Sequence, residues 1–212
     1  FNWGVSHTYR FTVGKTSGTF SGDFYSTHFS NQFFPDYDKE PTKIIIKNFD
    51  GISRSNGLQL EASFIFFKQL EFRTAYNYLD VYRIENGNKI NLPFNPRNRA
   101  MAALSFHTKN NRWQADANTH WFDEMRLPDT HNNPVQYRRP LYSTPYATLN
   151  VQATFRWKTV DIYVGCENLT NYRQSNPIIS ADNPFSKYFD LSSVWGPTRG
   201  RELYIGVRYS IK

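Results

Sequence analysis

Apolar and polar residues alternate with period two along much of the chain, most cleanly near its end. In residues 201–212, Leu203, Ile205, Val207, Tyr209 and Ile211 share one face, and Glu202, Tyr204, Gly206, Arg208 and Ser210 share the other. Successive side chains of an extended strand point to opposite sides, so this run predicts a strand with one greasy and one wet face. Residues 146–157 repeat the pattern: Leu149, Val151, Ala153, Phe155 and Trp157 oppose Thr148, Asn150, Gln152, Thr154 and Arg156, and residues 160–166 continue it. Further strands are predicted over 113–121, 100–106, 70–78 and 58–66, and over 5–13, where His7 interrupts the apolar side. Residues 20–33 are mixed in character. Residues 43–49 are strand-like as well, and the turn-rich stretch 50–57 leaves open whether 43–66 is two strands or one long, kinked one.

The connections separate into two kinds. Residues 14–18, 67–69, 108–111 and 158–159 are short turns, whereas 80–97, 122–145 and 168–200 are long, and 35–41 reads as a polar loop. From Phe66 onward short and long alternate strictly, as they do in a membrane barrel with turns on the periplasmic side and loops outside. The parity holds when 43–66 counts as one span, which makes nine spans. Aromatic residues are also sorted by strand end: Phe64, Phe66, Phe72, Trp113, Phe155, Trp157 and Tyr209 share the apolar face near the short turns. Trp113 and Trp121 lie on one face, about 26 Å apart along a strand and about 20 Å after tilt, close to the height of a barrel's apolar band. A soluble sandwich would instead bury Leu149, Val151, Phe155, Ile205 and Val207 in a sealed interior, and has no reason to sort aromatics this way. The expected fold is therefore all-β: a transmembrane antiparallel β-barrel. Because bacterial single-chain barrels use even strand counts, nine spans imply a piece of a larger barrel whose first strand has an open edge.

Composition agrees with that reading. The 212 residues are 17% aromatic, with 14 Tyr, 18 Phe and 5 Trp, yet 20% charged, and the mean hydropathy is negative. No run of eighteen apolar residues is present, which excludes a membrane-spanning helix and leaves a barrel untouched. The single Cys166 excludes an intrachain disulfide framework and falls on an apolar strand face, as a small hydrophobe would. The net charge of +7 is spread through turns and loops rather than gathered in a patch. It therefore reads as a surface property suited to lipopolysaccharide or an anionic ligand, not to nucleic acid. The sequence shows no signal peptide and starts at Phe1 already on the approach to a strand, so an N-terminal part of the protein is expected to lie upstream.

The ordered segments 146–155 (YATLNVQATF), 162–171 (IYVGCENLTN), 176–179 (NPII), 194–201 (VWGPTRGR) and 204–209 (YIGVRY) resemble the C-terminal barrel region of TonB-dependent outer-membrane receptors, particularly the forms found in Bacteroidetes. The segments 22–32 (GDFYSTHFSNQ), 56–61 (NGLQLE) and 126–130 (RLPDT) sit in the family's order, so the match spans nearly the whole chain. The resemblance implies that residues 1–212 supply about the last nine strands of a 22-stranded barrel. The plug, the N-terminal strands and the TonB-contacting segment would belong to the missing part. Tyr204, Gly206, Tyr209 and Ile211 resemble the C-terminal assembly signal of outer-membrane proteins, although the chain ends on Lys212 rather than on an aromatic residue.

No catalytic constellation stands out, so an enzyme is not expected, and neither is a cofactor. His7, His28, His107, His120 and His131 lack metal-ligand spacing. Glu61, Glu71, Arg73, Asp116, Arg156, Asp161, Glu167, Glu202 and Arg208 fall on the lumen face, where pairing across strands and with the plug is expected, since charges in a narrow interior need partners. His120 falls there too, near Asp116, and reads as a hydrogen-bonded wall residue, with a site role as the alternative. Asn168-Leu169-Thr170 fits a glycosylation sequon that is incidental in a bacterial outer-membrane protein. Loop aromatics and cations are the ligand candidates: Tyr82, Arg83, Tyr137, Arg138, Arg139, Tyr142, Tyr172, Arg173 and Trp195.

The resemblance implies uptake of a scarce metal complex, such as a ferric siderophore, haem or cobalamin, or of a sugar in a related form. Implied partners are outer-membrane lipid and lipopolysaccharide, the rest of the receptor, TonB and a surface lipoprotein. The alternative is a non-transporting structural or adhesive barrel that binds a partner through its outer loops. A soluble β-sandwich lectin is the third reading, and it predicts purification without detergent.

Overall fold

The computed structural model describes residues 1–40 and 43–211. Among them ten strands form one antiparallel sheet: β1 (Asn2–Val13), β2 (Thr16–Glu40), β3 (Lys43–Phe66), β4 (Leu70–Glu85), β5 (Asn88–Asn91), β6 (Asn98–His107), β7 (Trp113–Phe122), β8 (Tyr146–Trp157), β9 (Val160–Glu167) and β10 (Glu202–Tyr209). The order is β1-β2-β3-β4-β6-β7-β8-β9-β10, with β5 paired only to the outer end of β4. Nine strands therefore run the height of the wall. β1 and β10 each have one neighbour, so the wall is unclosed and its first strand presents the open edge expected.

The packing is inside-out relative to a soluble domain. The buried apolar side chains among the described residues are Met125, Leu127, Cys166 and Ile179, and three of these lie in loops rather than strands. On β10, Ile205 and Val207 are 78% and 66% exposed. A sandwich would have sealed these positions. The strand register shows what the alternation builds instead. Phe64, Phe72, Leu104, Ala117, Val151, Cys166 and Leu203 stand in one cross-strand row. The row Phe66, Leu70, Phe106, Ala115, Ala153, Val164 and Ile205 runs beside it toward the short turns. Trp113 packs on Phe155 with ring centroids 4.7 Å apart, and Phe64 stacks on Phe66 and Phe72 at 6.0 and 6.4 Å. His7 opposes Gly22 on this same outward face.

The tall end differs from the sequence expectation. β2 continues through residues predicted as a polar loop as far as Glu40, with Pro35 opposite Ile46; Pro41 and Thr42 lie outside the described residues. The stretch 50–57 is no turn but the middle of β3, which settles 43–66 as one strand with a register shift near Phe29 and Asn31. Asn56-Gly57 reads as a turn signal, yet Gly57 is needed because the Tyr25 ring lies over it, where a Cβ would meet Tyr25 Cζ at 2.0 Å. Part of the expected loop 80–97 is also strand: β4 runs to Glu85, turns on Asn86 (φ 50°) and Gly87 (φ 78°), and returns as β5. Two left-handed residues make the tight hairpin whose twist matches its strands. The first turn is shorter than expected, with only Gly14 and Lys15 outside β1 and β2.

On the inner face, β9 and β10 interlock through two tyrosine–glycine pairs. Tyr204 lies over Gly165 and Tyr163 over Gly206, so a Cβ at either glycine would meet ring carbon at 2.3 Å. Tyr204 Oη also donates to Gln152 Oε1 at 3.0 Å on β8. Gly165→Val or Gly206→Val is expected to displace a ring from its slot and cost about 1–3 kcal/mol. The check is the temperature at which the full-length protein loses its compact, heat-modifiable gel band; a change under a degree would mean the slots are empty of consequence.

Candidate ligand-facing site

Above the middle of the wall, the inner face carries a concavity of ≈ 470 Å³ whose lining includes Tyr25 on β2, Gln59 on β3, Asn77 on β4, Arg99 on β6, and His120 and Phe122 on β7. These positions face inward because each is one residue out of phase with the outward rows: Gln59 opposes Asn77, Asn77 opposes Arg99, and His120 opposes Met101 and Thr148. Arg99 donates from Nη2 to Asn95 Oδ1 at 3.1 Å, while its buried Nε–H has no partner among the described residues. The Arg99 side chain lines the concavity, and a guanidinium on such a polar wall offers a charged donor to an acceptor placed there.

The upper lip is aromatic. Phe122 stacks on Tyr146 at 5.0 Å, Tyr146 stacks on Tyr172 at 5.0 Å and 8°, and Trp195 tilts against Tyr146 at 5.9 Å. Gln174, buried, orders this lip from below: its Oε1 accepts from the backbone N–H of Trp195 at 2.8 Å and of Gly196 at 3.0 Å, and its Nε2 donates to Ser193 O at 2.8 Å. Two loop candidates, Tyr172 and Trp195, thus converge on one strand residue.

The other candidates are distributed. Tyr82 sits on the upper part of β4 with Lys89 Nζ 4.1 Å from its ring centroid. Arg83 is buried beside Glu85, with its guanidinium over the Phe49 ring. Tyr137 ends a short 3₁₀ turn, Val135–Tyr137, and packs on Tyr188 at 5.7 Å. Arg138 Nε donates to Asn133 O, and Arg139 Nη2 donates to Ile178 O, joining the 123–145 and 168–201 connections. Tyr142 bridges to Arg126 and is half exposed, while Arg173 lies against Gly200. Only part of the candidate set therefore shares a site.

Of the inner-face charges, Arg156 faces Asp161 across β8 and β9 at 3.9 Å, and Asp116 accepts from Ser105 Oγ at 2.6 Å and from Gln114. Arg73, however, pairs with Glu71 two residues away on its own strand rather than across the sheet, since both project from one face of β4. His120 does not join Asp116; it lines the concavity instead. Among the described residues, no group of three or more His, Cys, Asp or Glu side chains is placed to hold a metal ion.

A residue not singled out from sequence organises the outer end. Arg126 forks onto Asp38 at the top of β2, with Nη1 to Oδ1 at 3.1 Å and Nη2 to Oδ2 at 2.8 Å, and its Nε donates to Asn91 O on β5 at 2.8 Å. The backbone N–H of Asp129 completes the site on Asp38 Oδ1 at 3.0 Å. Burial alone would raise the Asp38 carboxyl, but the Arg126 fork, the Asp129 amide and the charges of Arg126 and Arg83 overcome it and hold it below the ordinary 3.8. A carboxylate depressed in the folded state contributes its stability above the ordinary value and loses it as pH falls through the folded one. Hydrogen-exchange protection of the upper β2–β3 hairpin is therefore expected to be flat from neutral pH down to about 4.5 and to fall only below that. Protection that declines near pH 6 would contradict the fork as the source.

Comparison with known proteins fixes what kind of wall this is. The family described as TonB dependent receptor-like, beta-barrel matches residues 2–169. The chain belongs to the TonB-dependent receptor family. No curated protein sequence matches it. Its fold is shared by solved receptors and transporters. The ferripyoverdine receptor of the outer membrane of Pseudomonas aeruginosa superposes with TM-score 0.65 at 14% identity, over 98% of this chain and 26% of that one. The ferric citrate transporter FecA gives 0.61 at 13% over 98% and 30%, and the copper transporter OprC 0.61 at 14% over 99% and 31%. The chain thus spans under a third of the length of these structures. Its sheet is part of an outer-membrane barrel, with short turns periplasmic, long connections outside, the outward rows in hydrocarbon and the concavity in the lumen.

Proposed function

We propose that residues 1–212 are the C-terminal part of the barrel of an outer-membrane receptor that takes up a scarce metal complex of the ferric siderophore, haem or cobalamin class. The plug and remaining strands would come from the rest of the receptor, and the driving energy from TonB. The observation that carries this reading is the lumenal concavity: the Arg99 guanidinium in its lining, amide and phenol groups around it, and the aromatic lip of Phe122, Tyr146, Tyr172 and Trp195 above. Metal chelates built on carboxylate or catecholate oxygens present an anionic, partly flat surface that such a site fits. Tyr82, Arg83, Tyr137, Arg138, Arg139, Tyr142 and Arg173 belong to the proposed capture surface above it, also open to a surface lipoprotein. Arg54, exposed at the outer rim beside Tyr82 in the register, is proposed to meet lipopolysaccharide. Tyr204, Gly206, Tyr209 and Ile211 are proposed as the assembly signal.

The test uses the full-length receptor titrated with ferric siderophores, haem, cobalamin and oligosaccharides while tryptophan fluorescence is followed. Arg99→Ala is expected to weaken binding of the cognate complex about tenfold to a hundredfold, the worth of a charged hydrogen bond. Absence of binding to any metal complex, with retention of a protein or glycan partner by the outer loops, would favour the adhesive reading instead.

A further inference from the structure

All four short turns at the end of the wall opposite the long connections carry cations and none carries an acid. Residues 14–15, 67–69, 108–112 and 158–159 contain Lys15, Lys68, Lys109, Arg112 and Lys158, with no Asp or Glu among them. The outer connections, by contrast, mix both signs, as Asp80 with Lys89 and Arg126 with Asp38 show. Lys15, Lys68 and Lys109 frame a single concavity of ≈ 650 Å³ together with Gly14, Phe67 and Gln69.

The turns are held in fixed relation by main-chain bonds that pass from one hairpin to the next. Phe67 N–H donates to Lys15 O at 3.2 Å, His107 N–H to Gln69 O at 2.9 Å, and Arg156 N–H to Arg112 O at 2.8 Å. The backbone positions that carry the cations therefore form one fixed arc. Two of them also occupy backbone that does not favour lysine: Lys68 has φ 65° and Lys158 φ 57°. Left-handed positions in tight turns go to glycine or asparagine without strain. Keeping lysine there opposes local backbone preference.

Just above the arc, at the ends of β7 and β8, stand the exposed rings of Trp113 and Trp157, and Lys158 Nζ lies 5.2 Å from the Trp157 ring centroid. Aromatic rings of this kind settle at the level of lipid headgroups. The cations one residue further on are then at the depth of the phosphates.

We propose that this arc is a docking surface for the anionic phospholipid headgroups of the periplasmic leaflet, with the 14–15, 67–69 and 108–112 turns forming its main seat. Charge complementarity selects an anionic lipid over a zwitterionic one, and the aromatic belt sets the depth at which the phosphate is met. Lipopolysaccharide, in the opposite leaflet, does not reach it. The surface would act as a lipid anchor for the wall through which cargo passes, whatever that cargo is.

The experiment is native mass spectrometry of the full-length receptor equilibrated with an equal mixture of phosphatidylglycerol and phosphatidylethanolamine. The parent is expected to retain phosphatidylglycerol over phosphatidylethanolamine by about tenfold or more, given about fivefold for each cation near a membrane surface. The variant carrying Lys15→Gln, Lys68→Asn, Lys109→Gln and Lys158→Asn is expected to retain the two lipids about equally. Because asparagine suits the left-handed positions better than lysine, this variant is expected to keep its heat-modifiable gel band, and that band is scored alongside. No preference in the parent, or one that survives in the variant, overturns the proposal. So does a preference lost instead with the outer control Lys187→Gln plus Arg199→Gln. Displacement of the lipid by inorganic phosphate alone would assign the arc to a free anion, and binding of an acidic periplasmic protein in place of lipid would reassign it likewise.

Discussion

Leu104→Arg is expected to leave little of the receptor folded in the outer membrane, while Ala103→Arg, one residue away, is expected to be tolerated. Leu104 stands between Phe72 and Ala117 in the row midway between the two tryptophans of β7, and its side chain is exposed because hydrocarbon, not protein, covers it. An arginine at the midplane of a barrel's lipid face costs about 2–4 kcal/mol, and one on the lumen face far less, since it stays hydrated. Ala103 lies on that lumen face, opposite Arg73 and Asn118. The measurement is the fraction of receptor recovered in the outer-membrane fraction as the compact band. Equal recovery of the two variants would mean that the alternation does not separate lipid from lumen, and the placement of every inward residue named above would fall with it.

The part of the fold that was legible in the sequence is the part that lies in the membrane. There one face meets hydrocarbon and the other water, and the period-two pattern over 58–66, 70–78, 100–106 and 146–157 is the direct consequence. Above the membrane both faces of a strand are wet, so the pattern has no cause. Residues 20–33 therefore read as mixed, 35–41 as a polar loop and 50–57 as turn beside a strand-like 43–49, with Pro35 and Asn56-Gly57 as apparent breakers, although each strand supplies the other with a ladder partner that overrides local preference. The strand count survived because hairpin parity depends on connections, not on strand length.

The candidate site was legible in kind but not in place. Tyr172 and Trp195 read as loop aromatics from composition alone. Nothing local marked Tyr146 as the ring on which both settle, since it reads as the start of a strand. Arg99 and His120 are unremarkable members of an alternating wall until neighbouring strands bring Tyr25, Gln59 and Asn77 around them. Arg126 and Asp38 are 88 residues apart, and their pairing follows from how tall β2 stands, which is the feature the sequence pattern hides.

That pairing sets the second large effect. Arg126→Ala removes a side chain that binds three outer elements at once: Asp38 on β2, Asn91 on β5 and its own 123–145 connection. The side chains of Arg126 and Asp38 are only 12% and 25% exposed, so losing the cation leaves a carboxylate largely out of water, held by the Asp129 amide and the charge of Arg83. The expected cost is about 2–3 kcal/mol, carried by the outer end rather than by the whole barrel, because the membrane rows do not touch it. Amides of the upper β2–β3 hairpin should then exchange about thirtyfold to 150-fold faster, with the rows around Leu104 unchanged. Asp38→Asn should recover part of that loss in the Arg126→Ala background, since a neutral amide is cheaper to leave unpaired than a charge, and its own effect should be smaller than that of Arg126→Ala. Exchange that speeds uniformly across the barrel would show that Arg126 supports global folding. Exchange that does not change would show that the hairpin stands without its clasp, held by the ladder between β2 and β3 alone.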